Sequence, residues 1–464
     1  MSASVTPGEP GIFERMFPIR ERGSTVRTEV LGGVATFLTM SYILVVNPAI
    51  LSQAGLPFGA VVVATALAAA VATAAMGLLS TYPFALASGL GINAVVAFDI
   101  ILGRQVPWEV GMACVVIEGL IAVALVLAGL REAVVRAVPT SMKLAIGVGI
   151  GLFICFVGLR DGGIVVNNPA TGVGLGDLTA GPPLIALAGI FVATAMTVRG
   201  IRGSILAGIA TSTVLGLVFG VLDGPDAVAD WPGSDQFSTI GDALDPDNLA
   251  DALTWALVPV IFALFMTDFF DTIGTAVSLG RAGKLDDAQG ELPEMRRVLL
   301  VDSGAAVLGG AAGASSVTTY VESGAGVSEG ARTGLASLVT AGLFLLAIPF
   351  VPLITVIGQS VPYVGDTTVV PAIAPALVMV GFLMTRLVQA IDWGDVQDAV
   401  PAFLIIAGIP LTFSIAAGIG LGVLGHVVAM TAAGRARQVH PIMWVLVPMF
   451  LAFFAEDWLS VNVF

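Results

Sequence analysis

Apolar runs of about 18 to 25 residues recur along this 464-residue chain from near its beginning to near its end. A helix of that length crosses a hydrocarbon layer of about 30 Å. Hydrophobic residues make up 57% of the chain and charged residues 11%, against roughly 45–50% and 25% in a soluble domain. The runs therefore predict a single integral membrane domain, an all-α polytopic membrane protein, and exclude a soluble one.

About 14 transmembrane segments account for these runs. The run at 400–432 is too long for one straight crossing and contains Pro410 and repeated glycines, so it is one long helix or two short ones. The segments are predicted near residues 28–52, 59–80, 84–102, 109–130, 141–159, 183–198, 203–222, 255–280, 297–313, 317–332, 333–352, 371–391, 400–432 and 441–457.

The orientation follows from the basic residues, because cytoplasmic loops carry the excess of Lys and Arg. With the N-terminus inside, four cytoplasmic clusters hold 13 of the 19 basic residues, and they lie at residues 15–27, 131–143, 199–202 and 281–297. The first 30 residues lack the pattern of a cleaved signal peptide. We expect a multi-pass protein of the inner (plasma) membrane with a retained, cytoplasmic N-terminus.

An acidic stretch at residues 223–254 divides the chain near its midpoint. It contains eight aspartates and no Lys or Arg, as a solvated loop would. Seven segments precede it and about seven follow. An odd number of segments per half reverses the second half relative to the first, which predicts a 7+7 inverted repeat.

The third and tenth segments do not resemble ordinary lipid-facing helices. The third contains Pro83, Gly89 and Gly91, and the tenth contains the β-favouring run 317–321 followed by closely spaced glycines. Each predicts a short β-strand that leads into a half-helix. Backbone groups freed by such breaks need partners other than lipid, so the two strands could pair with each other. The alternative is that the glycines only let helices pack closely.

Acidic side chains lie in the middle of the eighth segment. Asp268 and Asp271 are three residues apart and share one helical face. A charged side chain at mid-membrane costs roughly 2.5–3.5 kcal/mol on insertion scales, so neither is expected to face lipid. Asp271 has an alternative interpretation, in which it only braces its helix against Thr272 or Thr275. Asp268, like Glu322 in the tenth segment, has the alternative of a carboxylate that serves packing only.

The two broken segments also carry polar side chains at matching places, Glu322 in the tenth and Asn93 in the third. A carboxylate can accept two N–H bonds from a heterocycle or, when desolvated, hold a proton. Asp302 in the ninth segment is interpreted either as fixing the contact of the two halves or as relaying a proton, and Glu118 in the fourth has no evident partner.

Other site chemistries have little support. Cys114 and Cys155 both lie in apolar runs and allow neither a disulfide framework nor a metal-ligand spacing. The few basic residues form no tract with aromatic residues, so nucleic acid is not an expected partner. We expect no metal and no cofactor, and the partners are a small solute and the lipid bilayer.

Four motifs, in this order along the chain, resemble the AzgA-type purine permeases of the nucleobase/ascorbate (xanthine/uracil permease) transporter superfamily: EVLGGVATFLTMSYILVVNPAIL, LASGLGINAVVAF, MTDFFDTIGT and SSVTTYVESGAGVSEGARTGL. The resemblance covers nearly the whole chain. It implies a core domain of segments 1–4 and 8–11 that moves like an elevator against a gate domain of segments 5–7 and 12–14. It also implies proton-driven uptake of adenine, guanine or hypoxanthine, and a homodimer.

With this resemblance, the chain divides into six parts: a cytoplasmic segment 1–27, the first core half 28–140, the first gate half 141–222, the acidic extracytoplasmic loop 223–254, the second core half 255–352 and the second gate half 371–464.

The resemblance also implies roles for individual residues. Those that would bind substrate are Asp268, Glu322, Asn93, Thr318 and Thr319, and those that would couple protons or support the site are Asp271 and Asp302. We hypothesise that the purine stacks beside Phe270 or another aromatic side chain. Ser88 departs from the family, in which proline is expected at this position, and this puts the rigidity of the half-helix start in doubt.

Four alternatives remain at this stage. An anion or sulfate-type permease of the same architecture would require basic residues at the centre, where this chain is acidic. A uracil or xanthine carrier differs only in substrate. An intramembrane aspartyl protease needs its two aspartates on separate helices, whereas Asp268 and Asp271 share one. A channel differs in lacking saturable uptake.

Overall fold

The computed structural model describes residues 16–129, 138–255, 257–287, 292–364 and 367–462, without the side chains of Phe270 and of residues 456–462. In these ranges the chain is mostly helical. Eight of the described helices are long and apolar enough to cross a membrane, and five shorter apolar helices accompany them. The predicted polytopic helical protein is confirmed.

The first half of the chain contains seven segments. The short helix Leu90–Ala94 continues without a break as π-helix from Val95 to Leu102. The elements are α1 (Val26–Met40), α2 (Ile43–Gln53), α3 (Phe58–Leu79), β1 (Leu86–Ser88), α4 (Leu90–Ala94), α5 (Trp108–Leu127), α6 (Thr140–Asp161), β2 (Val165–Val166), β3 (Gly174–Leu175), α7 (Gly181–Val198) and α8 (Ser204–Val218).

The acidic stretch carries two 3₁₀ turns, Ser234–Phe237 and Asp242–Leu244, and the short helix α9 (Pro246–Ala252). The second half begins in the same order as the first, with two membrane segments, a strand and a short helix. Its elements are α10 (Val258–Gly283), α11 (Met295–Ala312), β4 (Val317–Thr319), α12 (Ser323–Ser328), α13 (Gly334–Ala347), α14 (Val351–Ile357), β5 (Val361–Pro362), β6 (Thr368–Val369), α15 (Ala374–Thr385), α16 (Val396–Thr412), α17 (Ile415–Ala432) and α18 (Pro441–Asn462).

Two predicted segments are each divided into two helices. The first breaks at Ser41 and Tyr42, between α1 and α2. The run 400–432 forms α16 and α17, which meet at Phe413 with φ of 55°, a left-handed conformation that ends α16. The Ser414 hydroxyl then caps α17 by accepting from the amide of Ala417. The two-helix interpretation of this run is confirmed, and α18 follows the two seven-segment halves.

Helices from the two halves pack in two groups. In one group α13 packs on α1 and α3, and α11 packs on α3 and α5. In the other group α15 packs on α6 and α7, and α16 packs on α6 and α17. Glycines permit the closest approaches: a Cβ at Gly119 of α5 would lie 2.8 Å from the backbone nitrogen of Val307 in α11. Each group therefore needs both halves of the chain.

Arg22, just before α1, and Glu29, in the first turn of α1, tie the ends of the two broken segments together. One Arg22 nitrogen donates to the carbonyl oxygens of Thr81 at 2.8 Å and Arg332 at 2.9 Å. Glu29 accepts from the backbone amides of Arg332 at 2.9 Å and Thr333 at 3.1 Å. These contacts fix where the chain enters the third segment and leaves the tenth.

Candidate functional site

Strands β1 and β4 pair antiparallel, although they lie more than 200 residues apart in the chain. Leu86 faces Thr319 and Ser88 faces Val317. A further bond runs from the Gly89 amide to the carbonyl oxygen of Ser316 at 2.8 Å. The predicted pairing of the two broken segments is therefore confirmed, and all six strand residues are buried.

Side chains satisfy strand groups that the partner strand does not reach. The Thr73 hydroxyl of α3 both donates to the Leu86 carbonyl oxygen and accepts from the Leu86 amide, each at 2.9 Å. The Ser323 hydroxyl of α12 accepts from the Ala85 amide at 2.9 Å. Lipid offers no such partners, so these hydroxyls allow extended backbone to lie inside the membrane.

Asp302 of α11 is the acceptor for strand β4 and for α10. It accepts from the amide of Thr319 at 2.8 Å, from its hydroxyl at 2.7 Å and from the hydroxyl of Thr272 at 2.6 Å. The Thr318 hydroxyl lies 3.5 Å from Asp302 and 2.8 Å from the Thr272 hydroxyl. Asp302 is only 3% exposed, so these donors replace water around its carboxylate.

Asp268 and Asn93 are also deeply buried but have polar atoms that lack such partners. Asp268 is 3% exposed and its Oδ1 has no hydrogen bond within the described part of the chain, while Asn93 is fully buried with neither side-chain atom bonded there. An unsatisfied buried polar group costs about 1–3 kcal/mol. Such groups are rare and call for an explanation, and a ligand that supplies the missing partners is one.

Glu322 lies where β4 leads into α12 and is half-buried. Its Oε1 accepts from the Tyr42 hydroxyl at 2.5 Å, across from the break between α1 and α2. The Tyr320 hydroxyl donates to the Ser88 carbonyl oxygen, also at 2.5 Å. The break in the first segment thus places the Tyr42 hydroxyl within hydrogen-bond distance of the Glu322 carboxylate in the tenth.

Asp271 is exposed, unlike its neighbours on α10. From Leu257 to Phe269 the described side chains are buried or half-buried, whereas Asp271, Gly274 and Ser278 are exposed and follow one face of the helix. A Cβ at Gly274 would meet nothing within 4 Å. A face that carries a carboxylate and a hydroxyl is not suited to lipid, so this stripe marks a water-accessible opening on the side of the site nearer to Gly283.

The predicted site residues occupy one region, with two differences in detail. Asp271 interacts electrostatically with Glu322, Asp302 and Asp268, which connects all four carboxyl groups. Thr272, considered as a brace for Asp271, donates to Asp302 instead. Phe270 lies in α10, but its side chain is outside the described part of the chain.

Three site residues could not be assigned from the sequence. Tyr42 lies in a run that reads as continuous helix, and Ser316 and Glu118 gave no sign of their contact, in which the serine hydroxyl donates to Oε1 of Glu118 at 3.1 Å. The available signals were weak: a charged residue in an apolar span, and the polar pair Ser41 and Tyr42 within the first motif.

Two apolar grooves lie away from this polar region. The first has a volume of about 340 Å³ and is lined by residues of α3 and α11, among them Val71, Ala75 and Leu308. Its lining has no polar side chain to orient a heterocycle, so we place the candidate site at the strand crossing.

The paired strands, the interrupted helices and the buried carboxyl groups of this multi-pass fold define a membrane permease. The chain belongs to the xanthine/uracil permease family, since the permease family matches residues 27–421. This is a family of transport proteins, not of enzymes.

Similar proteins include two bacterial permeases of purines. The guanine/hypoxanthine permease PbuG of Bacillus subtilis is 40% identical, with 95% of this chain and 99% of that protein covered. The adenine permease AdeP of Escherichia coli is 37% identical, with 95% of each chain covered.

Solved structures share the fold at low sequence identity. The transmembrane domain of the cyanobacterial bicarbonate transporter BicA has a TM-score of 0.57 at 17% identity, covering 88% of this chain and 97% of that one. The murine anion transporter Slc26a9 in its inward-facing state has a TM-score of 0.60 at 11% identity, covering 93% and 74%. The predicted fold class, which was expected to be shared with anion permeases, is confirmed.

Proposed function

We propose that this protein is a proton-coupled symporter that imports purine nucleobases, namely adenine, guanine or hypoxanthine, by elevator-type alternating access. The observation that carries the proposal is the set of unsatisfied polar atoms on Asp268 and Asn93 beside Glu322, at the crossing of the two strands. Purines present several N–H donors and ring-nitrogen acceptors along their edges, and these groups match carboxylate and amide partners.

In this proposal the purine lies edge-on to Asp268, and Asn93 provides both a donor and an acceptor. Glu322, held by Tyr42, binds a second edge. Thr318 and Thr319 shape the site from β4 while their hydroxyls stay bound to Thr272 and Asp302. Phe270 is proposed as a stacking partner. Guanine, hypoxanthine and adenine permeases at 33–40% identity support a purine substrate.

Proton coupling follows from the negative charge of the site. Carboxyl groups in a buried region are stable there when protons offset part of their charge. One positive charge that moves through 100 mV releases about 2.3 kcal/mol, enough for roughly fifty-fold accumulation. One proton per purine is therefore a sufficient stoichiometry.

The elevator motion is proposed for the two groups of helices. The site is carried by the group of α5 and α11, because α10 packs on α5 and β4 packs on α11. Among the described residues, polar contacts between the groups include Asp99 with Ser414, Gln53 with Asp161, and Arg202 with Glu329. Such contacts can form and break during a rigid-body movement. We further propose a homodimer in the inner (plasma) membrane with a cytoplasmic N-terminus.

Uptake and binding assays test this proposal. Cells that lack their own purine permeases should accumulate labelled hypoxanthine, guanine or adenine when they express the protein, and a protonophore should abolish the accumulation. Purified protein should bind at least one purine in competition with that label. Accumulation that ignores the protonophore would remove the symport claim.

The same assays separate the alternatives. Uracil or xanthine as the better competitor would favour a uracil or xanthine carrier. Bicarbonate or sulfate uptake without purine binding would favour an anion permease, which the acidic centre opposes. Asp251→Asn, in the exposed acidic loop, is the matched control for every aspartate variant in the site.

A further inference from the structure

Glu118 is a fully buried carboxyl group in the middle of α5, outside the proposed contacts of the purine. It comes from a helix that contributes no other polar side chain to the site. Its burial contrasts with Asp271, which is exposed at the water-accessible stripe of α10. Glu118 therefore lies behind the strand crossing and not at its open side.

Its contacts join it to the crossing through one residue. The Ser316 hydroxyl donates to Oε1 of Glu118 at 3.1 Å. The Ser316 carbonyl oxygen accepts from the amide of Gly89, the residue that follows β1, at 2.8 Å. The second oxygen, Oε2, has no hydrogen-bond partner among the described residues. The neighbouring residue of α5, Gly119, packs closely on Val307 of α11.

The charged groups that face Glu118 are all acidic. They are Asp302 of α11 and Asp268 of α10, and each of them interacts electrostatically with Glu118. Asp99, from the π-helical turn packed on α5, is bound to Ser414 instead. The aspartates of α9 and of the preceding 3₁₀ turn, two elements that also pack on α5, are exposed. No ion pair of the described ranges includes Glu118, Asp268 or Asp302.

The three acids differ in the number of donors that stabilise a negative charge. Asp302 has the amide and hydroxyl of Thr319 and the hydroxyl of Thr272. Glu118 has the Ser316 hydroxyl alone, although it is the more deeply buried of the two. Adjacent carboxylates without a cation cannot all be ionised. Asp268 also lacks a donor at Oδ1, but in the proposed complex the purine supplies N–H donors to it, so in the loaded carrier the proton resides on Glu118.

We propose that Glu118 is the residue that binds the coupled proton, behind the purine-binding Asp268, so that the proton site and the substrate site are separate. This inference rests on the proposed function, purine and proton symport. The chemistry is a simple protonation. A proton from water binds a carboxylate oxygen of Glu118, and the acid is neutral while the site moves through the membrane. The proton then returns to water on the other side. Ser316 is the positioning residue that connects this acid to the strand crossing.

The test uses the full-length protein in liposomes, with labelled hypoxanthine, guanine or adenine as the substrate, whichever the wild type binds. Counterflow exchange measures purine binding and movement without a gradient, and an inward proton gradient measures coupling. Glu118→Gln should keep counterflow within about three-fold of wild type, because Glu118 does not contact the purine, and should lose gradient-driven accumulation. Glu109→Gln, in the first turn of the same helix, should keep both.

The outcomes separate the two proposals. A wild type that binds purine but ignores the proton gradient would overturn the symport proposal itself. Glu118→Gln with wild-type accumulation would overturn only the role of Glu118. If Glu118→Gln does not fold, the variant Ser316→Ala tests whether Glu118 binds the coupled proton. Removal of its hydroxyl should move the pH of half-maximal uptake by about half a unit or more, and an unchanged pH profile would overturn the proposal.

Discussion

Asp302 and Asp268 lie on neighbouring helices and are each 3% exposed, yet their surroundings are opposite. Asp302 accepts from the amide and hydroxyl of Thr319 and from Thr272. Asp268 retains an oxygen without a partner. Equal burial therefore does not mean equal roles: the first carboxylate holds β4 and α10 together, and the second is available to a ligand.

The largest effect is expected for Asp302→Ala. It leaves an amide and two hydroxyls buried without an acceptor, and each such group costs about 1–3 kcal/mol, so the folded protein should lose at least about 3 kcal/mol of stability. Thermal unfolding in detergent, followed by size-exclusion chromatography, measures the loss. Asp251→Ala is the control, and an Asp302→Ala protein as stable as this control would contradict the structural role.

Asp268→Asn should separate binding from folding. Since Oδ1 has no protein partner, the substitution disturbs few contacts and the melting temperature should stay close to that of wild type. Loss of a charge-assisted bond to the purine should weaken binding by about ten- to hundred-fold. Competition binding on purified protein gives the affinity, and retained affinity would move the ligand site away from Asp268.

Asn93→Ala removes two buried polar atoms that have no described partner. We expect unchanged or slightly higher thermal stability, because an unsatisfied group is lost, together with about ten-fold weaker purine binding. Thermal unfolding in detergent and competition binding on purified protein measure the two effects. A marked fall in stability with normal binding would show that Asn93 serves the fold, as Asp302 does.

Tyr42→Phe should have the smallest effect. It removes the hydroxyl that donates to Glu322 and leaves the ring in its buried place. One hydrogen bond of about 0.5–1.5 kcal/mol corresponds to roughly two- to ten-fold in affinity. Tyr82→Phe loses a bond to the Pro293 carbonyl oxygen and is the matched control. Equal affinities in both variants would show that Glu322 needs no positioning by Tyr42.

Much of the fold was predictable because it depends on local composition. Apolar runs identify membrane helices, and the β-branched run before Glu322 marks the strand now seen at Val317–Thr319. The carboxylates of α10 stood out because charge is rare in such runs. These are signals that a short window of sequence contains.

The remaining features depend on partners far away in the chain. Nothing near Tyr42 indicates an acceptor 280 residues later, and nothing near Glu118 indicates Ser316. The two interpretations of Asp302 could not be separated by hydropathy, because hydropathy measures the cost of burial and not the donors that offset it. The break in the first segment was missed for the same reason.

The pairing of β1 with β4 has a consequence for synthesis. Each three-residue strand depends on the other for its hydrogen bonds, and the two are separated by the whole acidic loop and six membrane segments. During synthesis, β1 therefore lies in the bilayer without its partner strand until translation has passed Thr319. Ribosome-bound chains that stop within the loop should be good substrates for membrane quality-control proteases, and the ligand site is among the last parts of the molecule to form.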